Sequence, residues 1–340
     1  MESNENNAQN QQQNNPAPEK PSGTKTWVKL LAVFYLIAVA SSFLIIGKTA
    51  PGKGPSLKPG EISGFGKIAS AKSDAVAVIP IYGTIYQSNS ASIFEKGSQY
   101  IAKKIKLMAE KKEVKAIVLD INSPGGTVGA VQEIHSVISR MKAETKKPFV
   151  AMFGDMSASG GYYIASACDK IVSHPGALTG SIGVMFSLAN FEGLFKKIGV
   201  KSEAVKSGKF KDMGSPMREM SEEERKILKG IIDDTYSQFV DAVSAGRNLP
   251  RDEVVKLADG RIFTGRQAFD LKLIDITGSL QDAVDLAGVL AGIGKNPRII
   301  KHTDAFEDFF SVLEYKTGLV KIKDFFNQSP RLEYRWDMGD

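Results

Sequence analysis

The chain has 340 residues, with 44 Lys+Arg against 38 Asp+Glu, 42% hydrophobic and 24% charged. These proportions exclude a collagen, a coiled-coil rod and a mostly disordered chain, and the single cysteine, Cys168, excludes an intrachain disulfide framework and any CxxC site. Three histidines leave little for a histidine-rich metal centre, and the net charge of +6 is dispersed over 48–340 without zinc-finger spacing, an RNP-like motif or an Arg-rich arm, which argues against a nucleic-acid partner.

The amino-terminal 48 residues carry a membrane signal. Ten of the first fifteen residues are Asn or Gln, and Pro16, Pro18 and Pro21 follow. Residues 1–26 therefore cannot bury apolar surface and read as a disordered tail. From Leu30 to Gly47 the chain runs LLAVFYLIAVASSFLIIG without a charge, about 27 Å as a helix and close to the hydrocarbon thickness of a bilayer. Trp27 and Lys29 at one end and Lys48 at the other suit its two interfaces, so 27–48 is expected to be a transmembrane anchor. A cleaved secretory signal competes with this reading, because Ala38-Val39-Ala40 resembles a small-residue cleavage site. The apolar run continues past it through Phe43-Leu44-Ile45-Ile46, which favours the anchor. Lysines on the two sides nearly balance, so charge gives little orientation.

Residues 49–72 are rich in Gly and Pro and read as a linker. Residues 73–293 then alternate short β-branched runs with helical patterns. Strands are predicted over Val76–Ile81, Ala116–Asn122, Phe149–Phe153, Lys170–Ser173 and Glu203–Val205. Helices are predicted over Ile93–Glu110, Gly129–Lys142, Gly160–Ala167, Phe191–Ile198 and Ser221–Ala245, the last with a capping-box start at Ser221 and Glu224. Lys103, Lys104, Lys106, Lys111, Lys112 and Lys115 read as a solvated helix face. Strand-helix alternation implies an α/β fold, a mostly parallel sheet covered by helices on both sides.

Two strand ends hold the candidate chemistry. Asp120-Ile121-Asn122-Ser123-Pro124-Gly125-Gly126 follows one predicted strand, and its paired glycines leave N–H groups free to face an anion or oxyanion. The spacing is neither GxGxxG nor GxxxxGK[ST], which disfavours nucleotide phosphate. Gly154 to Tyr163 (GDMSASGGYY) follows another and exposes a serine at a helix start, where the dipole and free N–H groups favour developing negative charge. Either Ser157 or Ser159 could equally be a plain N-cap. A serine nucleophile needs a base. His135 lies in a predicted helix, His174 in a turn before Pro175 and His302 in the carboxyl segment, and each reads as structural or solvent-exposed rather than catalytic. That leaves Lys206-Ser207-Gly208-Lys209-Phe210-Lys211-Asp212. An ordinary lysine amine, with a pKa near 10.4, is neutral in fewer than about one in a thousand copies at pH 7. A lysine base must therefore be shielded from water, at a cost of roughly 4 kcal/mol. Spacing alone does not choose among the three lysines. Cys168 falls in the predicted apolar helix and reads as a packing residue rather than an alternative nucleophile.

The motifs DINSPGG (120–126), MSASGGYY (156–163), LTGSIGV (178–184), KSGKFKDM (206–213) and ADGRIFTGRQA (258–268), in this order behind an apolar segment, resemble the signal peptide peptidase A family of bacterial Ser/Lys membrane proteases over about Val76 to Ser279. The resemblance implies a Clp-protease/crotonase-like fold preceded by one transmembrane helix, with 73–293 as the Ser/Lys peptidase domain. It implies Ser159 as nucleophile, Lys211 (not Lys206 or Lys209) as general base, Ser181 as the group that orients the amine, and the Gly126 and Gly160 N–H groups as the oxyanion hole. No metal and no cofactor are implied. Only one such set of motifs is present, as in the short form of the family. That form implies a homo-octamer in which neighbouring protomers complete each active site and cover the lysine. Implied partners are remnant signal peptides or other hydrophobic peptides and membrane lipid. The implied location is the bacterial cytoplasmic (inner) membrane, with the catalytic domain outside. A crotonase-like acyl-thioester enzyme and a non-catalytic membrane scaffold are the rivals; neither explains Ser159 and Lys211 together. Residues 294–340, with Phe306, Phe309, Phe310, Phe325 and Phe326, are open to three readings: a packing element, a membrane contact or an oligomer arm.

Overall fold

The computed structural model describes residues 74–87 and 97–301 and the backbone of 332–335. The expected tail, anchor and linker lie outside them, and among the described residues no helix is long and apolar enough to cross a membrane. The first half runs β1 (Ala75–Tyr82), α1 (Ser98–Glu110), β2 (Val114–Ser123), β3 (Gly125–Thr127), α2 (Val128–Thr145), β4 (Phe149–Ala158), α3 (Gly160–Ser166), β5 (Lys170–Ser173), β6 (Leu178–Gly180) and β7 (Met185–Phe186). The second half runs α4 (Glu192–Lys197), α5 (Glu222–Arg247), α6 (Arg251–Leu257), β8 (Ile262–Thr264), α7 (Gly265–Asp270), β9 (Ile276–Thr277), α8 (Leu280–Leu290), β10 (Arg298–Lys301) and, near the carboxyl end, β11 (Leu332–Arg335).

Alternation along the central strands builds two cores. In β1, β2 and β4, residues Ala77, Ile79, Ile81, Ile117, Leu119, Ile121, Phe149, Ala151 and Phe153 face one cluster, with α1, α2, α3 and α5. The residues between them, Val76, Val78, Ala116, Val118, Val150 and Met152, face Ala283, Val284 and Ala287 of α8. A sheet buried on both faces reads as continuous apolar runs, which is why these strands are visible in the sequence. Their order is β10-β1-β2-β4-β5-β9, parallel throughout, with β6 parallel to the end of β4 and β8 antiparallel to β6. This mixed α/β arrangement with a mostly parallel sheet fits the Clp-protease-like fold.

The helices follow the same logic. In α2, Ala130, Val131, Ile134, Val137, Ile138 and Met141 recur at helical spacing and are buried. The α5 helix begins with the expected capping box, Ser221 accepting from the Glu224 N–H and Glu224 from the Ser221 N–H. Its far half lies hard against α3: a Cβ at Gly246 would stand 2.0 Å from the Ser166 carbonyl oxygen, and the rings of Tyr163 and Phe239 are 5.0 Å apart.

Two expectations change, and the helix expected over Phe191–Ile198 forms as α4 with those two residues as its caps, though it buries none of its residues. Glu203–Val205 is not a strand; residues 201–206 are irregular and exposed, and among the described residues no strand pairs with them, Val205 being 99% exposed. Of the helix lysines, Lys103 and Lys106 are solvated, but Lys104 is buried, its ammonium 5.4 Å from the centre of the Tyr100 ring.

Candidate active site

The turn from β4 into α3 decides between the two serines. The end of β4 pairs with β6, Ser157 opposite Thr179 and Ala158 opposite Gly180. Ser157 is consumed by the sheet: its Oγ donates to the Ile121 carbonyl at 2.8 Å, and its own carbonyl accepts from Thr179 Oγ1 at 2.8 Å. Ser159 occupies the N-cap position of α3, but its side chain makes no capping hydrogen bond. Its backbone sits at φ 52°, ψ −115°, a conformation that costs a non-glycine residue on the order of 1–3 kcal/mol. Two main-chain bonds enforce it: the Ser159 N–H donates to the Gly180 carbonyl at 2.8 Å, and the Ser159 carbonyl accepts from the Tyr163 N–H at 2.9 Å. The N-cap reading left open by the sequence thus fails for both serines. Ser159, 1% exposed, is a strained hydroxyl at the start of a helix.

Gly126 and Gly160 lie on either side of this turn. Gly160 is the first residue of α3, and α3 packs against β3, which contains Gly126. The Ile85 N–H donates to the Gly125 carbonyl at 2.8 Å and the Thr127 N–H to the Ile85 carbonyl at 2.9 Å. By strand alternation, the N–H and C=O of Gly126 point to the opposite edge. A Cβ at Gly126 would be 1.7 Å from the Ile85 oxygen, so only glycine permits this approach. On the free edge of β3 lies β11, antiparallel, with Tyr334 opposite Gly126, and β11 in turn pairs antiparallel with β7. An extended segment of the chain's own carboxyl end therefore runs between the strand that carries Gly126 and β7.

Ser181 is brought next to Ser159 through Gly180. It too has positive φ, 50°, is buried, and donates its N–H to the Arg261 carbonyl at 2.8 Å. Arg261 in turn holds Asp259, Nε to Oδ1 at 2.7 Å. The ADGRIFT block thus fastens the Ser181 turn.

Lys211 stands apart. It lies in a run of tight turns between α4 and α5, its N–H on the Gly208 carbonyl at 3.2 Å, and it is exposed. Among the described residues no hydrogen bond joins Lys211 to Ser159. The three lysines of this segment do differ: Lys206 is paired with Asp212 and Lys209 with Glu223, while among the described residues no ion pair engages Lys211. Asp212 and Glu224 share Arg218, a residue the sequence reading passed over. Its hydrogen bonds, with those of Ser221, hold the Glu224 carboxyl down at about 2, and with that of Lys206 hold Asp212 well below the usual carboxylate range. The available signal was charge of alternating sign at Lys206, Asp212, Arg218 and Glu224.

Among the described residues no hydrogen bond joins Cys168, His135 or His174 to Ser159. Cys168 lies just beyond α3 and is buried, which pushes its thiol up to about 12. His135 packs edge-on against Tyr163, ring centres 4.9 Å apart, and burial lowers its pKa. His174 is exposed at the end of β5, and His302 lies outside the described residues.

Comparison with known proteins gives the family. The model of peptidase family S49 matches residues 141–294, and that of the NfeD1b N-terminal domain matches 75–193. A protein of Synechocystis sp. named "Putative protease slr0021" is 47% identical over 193 residues, covering 57% of this chain and 69% of the relative. The chain belongs to peptidase family S49. Within the family, the "Putative signal peptide peptidase SppA" of Enterococcus faecium is 37% identical over 218 residues, 63% of each chain. The "Serine protease SPPA, chloroplastic" of Arabidopsis thaliana is 34% identical over 231 residues, 66% of this chain and 34% of the relative. The match thus spans less than two thirds of the Enterococcus protein and about one third of the Arabidopsis one. S49 membership, and relatives bearing SppA names, support a serine protease of the SppA-like type.

Proposed function

We propose that this S49 chain is a membrane-anchored serine endopeptidase working through a Ser159–Lys211 dyad. The observation that carries the reading is Ser159 itself: a buried serine at a helix start, held at positive φ and not used as a cap. Lys211, as an uncharged amine, takes the proton from Ser159 Oγ as that oxygen attacks a peptide carbonyl. The N–H groups of Gly126 and Gly160 receive the oxyanion, a contribution typically of a few kcal/mol. The lysine ammonium then protonates the leaving amine, and a water activated by the same lysine releases the acyl group. Ser181, next to Gly180, is the hydroxyl suited to orient the amine.

Substrate and assembly follow from the surroundings. The edge of β3 accepts an extended chain antiparallel, as β11 demonstrates with the protein's own backbone, which suits an unfolded peptide added as a strand. Such a mode fits hydrophobic remnant signal peptides, which the expected anchor at 27–48 would bring within reach outside the cytoplasmic membrane. The segment around Lys211 exposes Phe191, Leu194, Ile198, Val205 and Phe210, apolar surface suited to a neighbouring protomer. A homo-octamer closing over this surface would give the amine the shelter that one chain does not.

The test is fluorophosphonate labelling and casein hydrolysis by wild type, Ser159→Ala and Lys211→Ala. Loss of both activities in each variant is expected. Hydrolysis that survives both substitutions removes the dyad, and turnover of acyl-CoA by the wild type would favour a thioester enzyme.

A further inference from the structure

The Lys211 segment has no sheet to hold it. Residues 201–206 are irregular, and 207–217 form consecutive turns whose internal bonds are local, Lys211 N–H to Gly208, Met213 N–H to Phe210 and Ser215 N–H to Asp212. Turn bonds of this kind fix the shape of a loop and leave its placement on the body free. Three links run outward from it: the Phe191 N–H to the Pro216 carbonyl at 2.7 Å, the exposed Lys209–Glu223 pair, and the Arg218 guanidinium, the one of the three that reaches a buried carboxylate. Arg218 grips Asp212, the residue after Lys211, side-on: Nε to Oδ2 at 2.9 Å, Nη2 to Oδ1 at 2.8 Å, and Nη2 to the Asp212 carbonyl at 3.2 Å. Its other edge grips Glu224 end-on, Nη1 to Oε2 at 2.9 Å and Nη2 to Oε1 at 2.5 Å, and Nη1 also reaches the Glu219 carbonyl at 3.0 Å.

Glu224 is a firm anchor. Its residue is 2% exposed, and Oε2 also accepts from the Ser221 N–H at 2.9 Å and from Ser221 Oγ at 3.0 Å. It belongs to the first turn of α5, whose far half is locked onto α3, the helix that begins at Ser159. The planar fork of an arginine can hold two carboxylates at once in fixed geometry, which a lysine ammonium cannot.

We propose that Arg218 is a positioning residue for the reaction: by joining Asp212 to Glu224, it fixes where the Lys211 amine stands. This rests on the reading of Lys211 as the base. Displacement of a reacting group by about 1 Å costs roughly 10²-fold in rate, so Arg218 acts on turnover without touching substrate.

The experiment uses the full-length protein in detergent and compares Arg218→Met, Arg218→Lys, Asp212→Asn, Lys211→Ala and, as a control on an exposed pair of the same segment, Lys209→Ala. Arg218→Met is expected to lower kcat and the fluorophosphonate labelling rate together by roughly 10²-fold, with KM within twofold of wild type and oligomer size retained; the melting temperature falls, because buried Glu224 loses its partner, but the variant stays folded at the assay temperature. Arg218→Lys regains part of the loss, and Lys209→Ala behaves as wild type. If Arg218→Met does not fold, Asp212→Asn, which leaves the Glu224 cap intact, carries the test and should lose kcat without a change in KM. Wild-type kcat in the folded variant, beside an inactive Lys211→Ala, overturns the positioning role alone. A loss of kcat that follows loss of folding or assembly in both variants overturns it as well, leaving Arg218 a stability residue. An active Lys211→Ala overturns the base reading and this role with it.

Discussion

Around Ser159 the chain supplies its own scaffold. The β4–α3 turn is buried, bonded across to Gly180 and backed by Phe153, Tyr162 and Ile121. Residues 200–217, which carry Lys211, contain no strand and no helix and present apolar side chains to solvent. On the dyad reading the nucleophile is held in strain, and the sheet and helix packed around it keep the serine at φ 52°, ψ −115°. The base needs a dry environment that can also admit a peptide, and a turn-rich segment covered by a second protomer meets both demands. One half of the chemistry is thus set by folding and the other, on the reading proposed here, by assembly.

The sharpest probe of the folded half is Ser159→Gly. Glycine has no penalty at positive φ, so the variant should be more stable than wild type by about 1 kcal/mol, while hydrolysis falls by on the order of 10⁴-fold or more. Chemical denaturation and a peptide assay measure the two. A variant less stable than wild type would mean that the Ser159 side chain holds the turn, and the contrast between the two regions would weaken.

For the assembled half, Val205→Asp places a charge on a side chain that is 99% exposed in the single chain, so the fold should change by less than about 0.5 kcal/mol. Buried between protomers, the same carboxylate would be unpaired. Sedimentation should then show smaller particles, and activity should fall roughly tenfold or more with them, since several kcal/mol attach to an unpaired buried charge. Unchanged size and activity would leave Lys211 to be sheltered by other means.

A smaller effect is expected at the edge between the two regions. β11 occupies the side of β3 to which Gly126 turns its N–H, the place assigned to substrate. Ending the chain at Pro330 should lower the apparent KM by about twofold or more, because occupancy by the chain's own strand multiplies that constant, with kcat unchanged. A raised KM would make β11 part of the wall of the site.

How far the sequence reveals this design differs between the same two regions. β1, β2, β4 and β5 are legible because strands buried on both faces are continuous apolar runs, and the α5 start is legible from Ser221 and Glu224. The strands of two or three residues, β3, β6, β7, β8 and β9, are too short to show a period, yet β3 and β6 hold Gly126 and the partner of the Ser159 turn. Ser157 and Ser159 are both small polar residues at a strand end; only cross-strand bonds to Ile121 and Thr179 separate them. Lys211 could be chosen from its neighbours by family motif alone, since the ion pairs of Lys206 and Lys209 depend on how the turns fold. Arg218 escaped because its partners are six residues away on either side, a spacing that belongs to neither helix nor strand.

The smallest expected effect concerns Cys168, which lies just beyond α3, the helix that starts after Ser159, and is the chain's other candidate nucleophile. Burial pushes its thiol up to about 12, outweighing the pull of the Lys142 and Arg247 charges. At pH 8 about one copy in 10⁴ is then thiolate, the form that attacks. Iodoacetamide at that pH should leave hydrolysis intact, and Cys168→Ala should label with fluorophosphonate at the wild-type rate, losing only about 1 kcal/mol of packing. Inactivation by the alkylating agent that Cys168→Ala abolishes would place a reactive sulfur beside Ser159, and the buried turn would then no longer be a site where a hydroxyl alone can react.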